Sequence, residues 1–450
     1  MLEKMFGWKR KKEEEEPLPP PGAAPAPAIT FGRYSDNNKP LAKVERWNEA
    51  EALFKEKKVY ESIQAFFDYL RDELADNVQH SPGADGSSGT FVIQQGSKIV
   101  RGFYNGQLFE AQVPLAAMPQ PSVPVMRRLL EMNFTLYYTR YALKDERLCM
   151  LFDSDIATAS PSKLYYGLKE LATKADKQDD LLVQDFTALL PVETEHVVTI
   201  PDEEKEVKYR HLQGWIKETL ELIETVDADK YSGGIAYLLL ALAYRIDFLL
   251  VPEGKLLLNI EKIVDIYFKK DDRPVTEKNQ DMVDEFGKLA ARSREEVFPY
   301  LFRSKYTFSI VLPQAHKTVS DAIYNANQNI GWYKENKHFA IAAKISEYGF
   351  AYCQYSYSLP RPLTEFFQLF MMVNYPTFFT ELGFPVQYYN PETQEFKQDA
   401  ILKAVESIEE AWKGKYPDMK MRPDKLKFDS LVSFNQSFTG EIEFLNMETK

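Results

Sequence analysis

A chain of 450 residues, 44% hydrophobic and 14% aromatic, is long enough for two or three domains and apolar enough for large cores, which excludes wholesale disorder. Its net charge of -12 argues against nucleic-acid binding, which calls for a basic surface. Only two cysteines occur, Cys149 and Cys353, compatible with a reducing compartment, and the N-terminus lacks the apolar core of a secretory signal. The expectation is a soluble, cytoplasmic protein.

Residues 1–12 set Met5, Phe6 and Trp8 among lysines and Arg10; four glutamates and the Pro/Ala-rich stretch PLPPPGAAPAPA follow. This reads as a tail and extended spacer over 1–42, with Met5, Phe6 and Trp8 as candidates for a tip that docks on a partner or a membrane surface. The plain alternative is a ragged terminus, and the acidic run weakens attraction to anionic lipid.

From Lys43 to about residue 74, apolar side chains (Trp47, Ala50, Leu53, Tyr60, Ile63, Phe66, Leu70) recur at helical spacing, which predicts one long helix or two with a break near Lys57-Lys58. NVQHSPGADGSSG, 77–89, reads as a polar loop with His80 in solvent. Three strands follow: Thr90–Gln95, Lys98–Tyr104 and, after the Asn105-Gly106 turn, Gln107–Val113. Pro114, Pro119, Pro121 and Pro124 are expected to stop the sheet and introduce a helix over Val125–Asn133. Val125, Met126, Leu129 and Leu130 form its apolar stripe, and Arg127 pairs with Glu131 outside. Strands over Leu136–Leu143 and Arg147–Phe152 and a helix opened by Ser160-Pro161 complete the pattern.

The order helix, three strands, helix, two strands, helix predicts an α+β domain over 43–192, a five-stranded antiparallel sheet covered by helices on one face. From about 205 to 450 the periodicity is almost wholly helical, with segments over 206–226, 230–250, 255–269, 276–296, 316–330, 338–358, 362–373 and 398–413. IAYLLLALAY, 235–244, is too short to span a bilayer and reads as a buried helix. Residues 424–446 are ambiguous, with a hairpin around Thr439-Gly440 as one reading. LFKEKKVYESI (53–63) and WYKENKHFAIA (332–342) echo each other in the rhythm of a helix-turn-helix, without a repeat period between them.

Signals for chemistry are sparse. Cys149 and Cys353 lie in apolar and aromatic runs and read as core residues. His80, His196, His211, His316 and His338 show no metal-ligand spacing. Asp153 and Asp155 in FDSDIATAS are the most enzyme-like carboxylates, suited in principle to Mg²⁺ at a strand end, against the alternative of a capped turn. Gly233-Gly234 opens a helix whose amides could receive an anion, but no phosphate loop, nucleophile elbow or dinucleotide fingerprint appears. The chain reads as non-enzymatic, with no cofactor or metal site assigned.

KIVRGFYNGQLFEAQVPLAAMP, PVMRRLLEMNFTLYY, YALKDERLCMLF and KLYYGLKELATKADKQDD together resemble the type III secretion chaperone-like fold, particularly its YbjN-like relatives, over about residues 45–182. The resemblance implies a small acidic domain that often dimerises and binds other polypeptides along apolar surface, with no catalytic residues to carry over. Its members are usually much shorter, so the helical half lies outside it. Met126, Leu130 and Phe134 are the candidates for a dimer or partner face, with packing against the sheet as the alternative for each. The leading expectation is a chaperone-like or adaptor module that binds a protein partner. The alternatives are an enzyme with a dispersed site, metal-dependent through Asp153 and Asp155, and a peripheral membrane factor acting through residues 1–12.

Overall fold

The computed structural model describes residues 27–34, 39–73, 75–192 and 197–449; Met5, Phe6 and Trp8 fall outside them, as does His196. The chain is an α+β unit followed by a mostly helical region. Helices α1 (Leu41–Lys55) and α2 (Val59–Leu70) form a hairpin. Strands β1 (Val78–Pro82), β2 (Gly89–Gln95), β3 (Lys98–Tyr104) and β4 (Leu108–Ala117) lead into α3 (Val123–Asn133). After α3 come β5 (Arg140–Lys144), β6 (Arg147–Asp155), α4 (Pro161–Asp185) and the short β7 (Leu190–Pro191). The antiparallel order is β1-β2-β3-β4-β6-β5, with β7 beside the end of β4.

Alternation of side chains sorts the sheet into two faces. Phe91, Ile93, Val100, Tyr104, Phe109, Ala111, Val113, Met150 and Phe152 point inward and are fully buried beneath α2 and α4. Arg101, Phe103, Glu110, Gln112, Leu151 and Asp153 point outward, exposed or half-buried.

The sheet has seven strands where five were expected, and other sequence expectations for this unit also need correction. Residues 78–82 are a strand, and His80 is not in solvent: its ring stacks on Phe67 at 4.5 Å and hydrogen-bonds the Tyr104 hydroxyl at 3.0 Å. Pro114 does not stop the sheet. It sits inside β4 opposite Cys149, next to a register shift that accommodates its missing N–H. Glu131 meets Arg128, at 3.8 Å, rather than Arg127.

The helical region comprises α5 (Asp202–Glu224), α6 (Ser232–Leu250), α7 (Gly254–Phe268), α8 (Val275–Ala290), α9 (Arg294–Val297), α10 (His316–Asn327), α11 (Ile330–Glu335), α12 (Phe339–Ser356), α13 (Arg361–Asn374), α14 (Pro376–Glu381), α15 (Gln398–Trp412) and α16 (Leu431–Glu443). The hairpin reading of 424–446 fails, because Phe434, Phe438 and Ile442 repeat every four residues and Ser430 caps the helix by accepting from the Ser433 amide. The segments 53–63 and 332–342 share a turn, one residue out of register with their sequence echo. Lys57 and Lys337 both take left-handed backbone (φ 62° and 64°), and the next amide reaches back to Leu53 O and Tyr333 O at 2.9 and 2.8 Å, so each turn closes a helical hairpin in the same way.

Helix α6 is long and apolar enough to cross a membrane, yet it lies in the core, packed by α5, α7, α8 and α12. It buries two charges. Arg245 donates to Glu347 at 2.9 Å and lies over the Tyr375 ring. Asp247 accepts two hydrogen bonds from Arg33, at 2.8 and 3.1 Å. Residues 27–34, read above as spacer, are therefore part of the core: Phe31 is buried among Phe248, Phe378, Phe379 and Phe384, and Arg33 lies over Tyr355. Between them, Gly32 (φ 74°) passes so close to Phe248 that a Cβ would lie 2.6 Å from its ring. The exchange is mutual. Phe308, from the helical region, is fully buried in the α+β core edge-on to Tyr165, and the Gln95 side chain accepts from the amides of Thr307 and Phe308 while donating to Phe308 O.

Burial raises the Asp247 carboxyl above its ordinary value even though Arg33 opposes that shift, so desolvation outweighs what the pair returns. Arg33→Met is expected to lower unfolding free energy by about 3–5 kcal/mol by leaving a buried carboxylate alone, and Arg33→Met/Asp247→Leu should recover most of it. Urea midpoints test this; equal losses in both variants would refute the pairing argument. His80, held down to about 4 chiefly by burial, predicts a second effect. Its contribution to stability is whole above pH 6.5 and declines as pH falls to about 4, because only the unfolded imidazole takes the proton in that window. Thermal melts of His80→Gln across that range should lack this component.

Candidate docking face

Helix α3 has more apolar residues than one buried face requires. Val125, Leu129 and Met132 turn inward. Val123, Met126 and Leu130, with Phe134 at the C-cap, recur at i, i+3, i+7 and i+11 and turn outward, 73%, 37%, 64% and 93% exposed. The three residues singled out from sequence thus share one outward stripe, Leu130 and Phe134 largely exposed and Met126 partly so. Arg127 and Arg128 flank the stripe, and both are exposed.

The segment after α3 extends this surface. Residues 136–139, expected to begin a strand, form a loop that presents Tyr137 (91% exposed) and Tyr138. Its shape is held from α4: the Glu170 carboxylate accepts from the amides of Tyr137, Tyr138 and Thr139 at 2.9, 2.7 and 2.9 Å and from the Thr139 hydroxyl at 3.0 Å. Tyr138 stacks on Tyr166. Exposed rings on a loop tied down by four charge-assisted hydrogen bonds are presented with little ordering left to do on contact.

The edge of the sheet beside this face is partly closed. Asp145 and Glu146 both have positive φ (50° and 61°), a two-residue turn that makes the flanking Lys144–Arg147 pair hydrogen-bonded and leaves Tyr141 and Leu143 with outward-facing amides. The Tyr141 amide donates to the Asn133 side chain of α3 at 2.8 Å. Strand addition at β5 would have to displace that bond, so side-chain contact with α3 is the better-supplied mode.

The remaining sequence candidates stand apart from this face or serve the fold. Asp153 is ion-paired with Arg140, and Asp155 caps the 156–158 turn by accepting from Ala157 N at 2.8 Å. Among the described residues no three His, Cys, Asp or Glu side chains come together as a metal would need. Cys149 and Cys353 are buried, and burial pushes the Cys353 thiol up. Gly234 lets α6 approach Tyr333, whose ring lies 2.8 Å from where a Cβ would stand. Sequence reasoning missed Tyr137 and Glu170; three aromatics within five residues, directly after an over-apolar helix, were the available signal.

No family model matches the chain. No curated protein matches it either.

Glu170→Ala is expected to free the loop while leaving the core intact. Amide exchange at residues 137–139 should accelerate by about tenfold or more, the scale of losing hydrogen bonds to a charged acceptor, while β2–β4 amides keep their protection. Hydrogen exchange read by NMR or mass spectrometry decides it; unchanged protection at 137–139 would contradict the role given to Glu170.

Proposed function

We propose that this protein is a non-catalytic, cytoplasmic protein-binding module, chaperone-like or adaptor-like, which receives an apolar segment of a polypeptide partner on the outer stripe of α3 and the adjoining loop. The observation that carries this reading is the display of Leu130 and Phe134 on the outer stripe of α3 beside Tyr137, large apolar side chains left in water, with the Tyr137 backbone held in place by Glu170. Clustered apolar exposure of this kind marks interaction surfaces, and aromatic anchors supply most of the binding energy where they become buried. Arg127 beside the stripe, unlike Arg128 not engaged by Glu131, favours a partner with an amphipathic helix that carries an acidic residue on its polar side. The resemblance of residues 45–182 to type III secretion chaperone-like domains supports the same reading.

The test is a quantified pull-down from the native cell with the full chain and with Leu130→Glu/Phe134→Ser/Tyr137→Ser. A near-stoichiometric partner is expected with the first and not the second, at equal melting temperature, since none of the three side chains is in the core. A partner retained by the triple variant would overturn the assignment. Light scattering separates the remaining case: a dimer that becomes monomeric in the triple variant makes the partner a second copy of the chain. For a purified partner, Phe134→Ala alone should weaken binding by about tenfold or more.

A further inference from the structure

A cavity of about 290 Å³ lies in the seam between the α+β unit and the helical region, away from α3. Its apolar side joins Leu115 of β4 and Val183 of α4 to Phe298 and Leu301, which follow α8. Among the described residues the lining also takes in Lys98 from β3, Lys205 from α5, Lys255 from the first turn of α7 and the carboxylate of Asp179. Among the described lining residues lysines outnumber acids three to one, against a net charge of -12 for the chain as a whole.

The lysines differ in what already holds them. Lys98 is almost wholly buried; its ammonium lies 2.8 Å from Asp179 and 3.2 Å from Val192 O, two acceptors for three donors. Lys205 sits 3.3 Å from Asp202, a carboxylate at the surface and so a weak competitor, and Lys255 is exposed. Lys255 also belongs to the N-terminal turn of α7, where backbone amides add positive potential. Lysines and aliphatic and aromatic carbon share the lining, with the Lys205 ammonium over the Phe298 ring, 5.9 Å from its centroid.

We propose that this seam cavity is a binding site for a small amphipathic anion, its headgroup among Lys98, Lys205 and Lys255 and its apolar body against Leu115, Val183, Phe298 and Leu301. A dry cavity of about 150 Å³ takes a six-carbon ring, so one of about 290 Å³ suits a straight chain of roughly eight to ten carbons. A carboxylate and a phosphate ester share this chemistry. Because the walls come from both parts of the chain, an occupant ties them together and stabilises the whole. The proposal is independent of the docking face.

Calorimetric titration of the full chain with decanoate, decyl phosphate and decanol tests it. One site is expected for at least one of the two anions, with the tighter of them identifying the headgroup, and decanol should bind at least about tenfold more weakly. Lys255→Gln, a surface change, and Lys205→Gln, at a largely buried lysine, should each weaken the anion and together do so by about tenfold or more, and Val183→Trp should block it by filling the apolar part of the cavity. Failure of both anions to saturate below about 1 mM overturns the proposal. So does decanol binding as tightly as either anion, or anion binding that neither variant changes.

Discussion

Asp247 is the constraint around which the rest of the structure is arranged. It lies near the end of a helix whose other residues are almost all apolar and buried, and a carboxylate in that position must be paired or neutralised. Its partner comes from 214 positions earlier in the chain, and placing Arg33 there also draws Phe31 into the helical core and Gly32 against Phe248. Two residues before it, Arg245 points to another side of α6 and requires a second solution, Glu347 on α12, which also accepts from Lys344 and the Tyr375 hydroxyl. The two charges therefore locate α6 relative to α12 on one side and to the N-terminal arm on the other.

That arm enters the helical core before the chain builds the α+β unit, and residues 305–308 later return from the helical region to complete the α+β core. Gly96 donates to Lys305 O, Gln95 holds the Thr307 and Phe308 amides, and Phe308 fills the space beside Tyr165. Each core thus contains a residue contributed from beyond its own stretch of sequence. Such crossed contributions make the two parts interdependent in stability, in contrast to domains joined only by a linker. They also explain why the seam can be polar and carry a cavity: Phe31 and Phe308, rather than a continuous apolar interface, fasten the parts together.

The order of elements in residues 41–185 was readable because the period changes cleanly between 3.6 and 2, and because β2, β3, β4 and β6 carry β-branched and aromatic residues. What escaped reading was set by distant partners. β1 is VQHSP, with one strong strand former, and it becomes a strand only because Phe67 offers His80 a ring to stack on and β2 offers an edge. Asn105-Gly106 does make the β3–β4 connection, though without positive φ: the Asn105 side chain instead accepts from the amides of Gln107 and Leu108. The left-handed two-residue turn falls at Asp145-Glu146, where the sequence leaves a turn between the strands expected over Leu136–Leu143 and Arg147–Phe152. The stripe of Met126, Leu130 and Phe134 was legible as surplus apolar content on a short helix, whereas the fixing of the neighbouring loop was not, since Glu170 lies more than thirty residues away in sequence.

The distribution of exposed apolar side chains separates the α3 face from the rest of the surface. On the outer side of the sheet, Phe103 stands across from Glu110 and Leu151 across from Gln112 and Arg140, so apolar atoms alternate with charge and amide in every direction. Such a surface is wetted easily and offers no dry patch to another protein. On α3 the apolar residues are consecutive along one stripe and continue into Tyr137, and the only nearby charges are at the margin. Folding gains nothing from holding Phe134 and Tyr137 in water, yet the Glu170 carboxylate accepts four hydrogen bonds that keep the Tyr137 loop in a single shape, and Asn133 closes the adjacent strand edge. Selection for stability alone would favour polar residues at both positions and would leave Glu170 without a task; a face that is apolar, rigid and shielded from strand addition is accounted for by contact with another polypeptide.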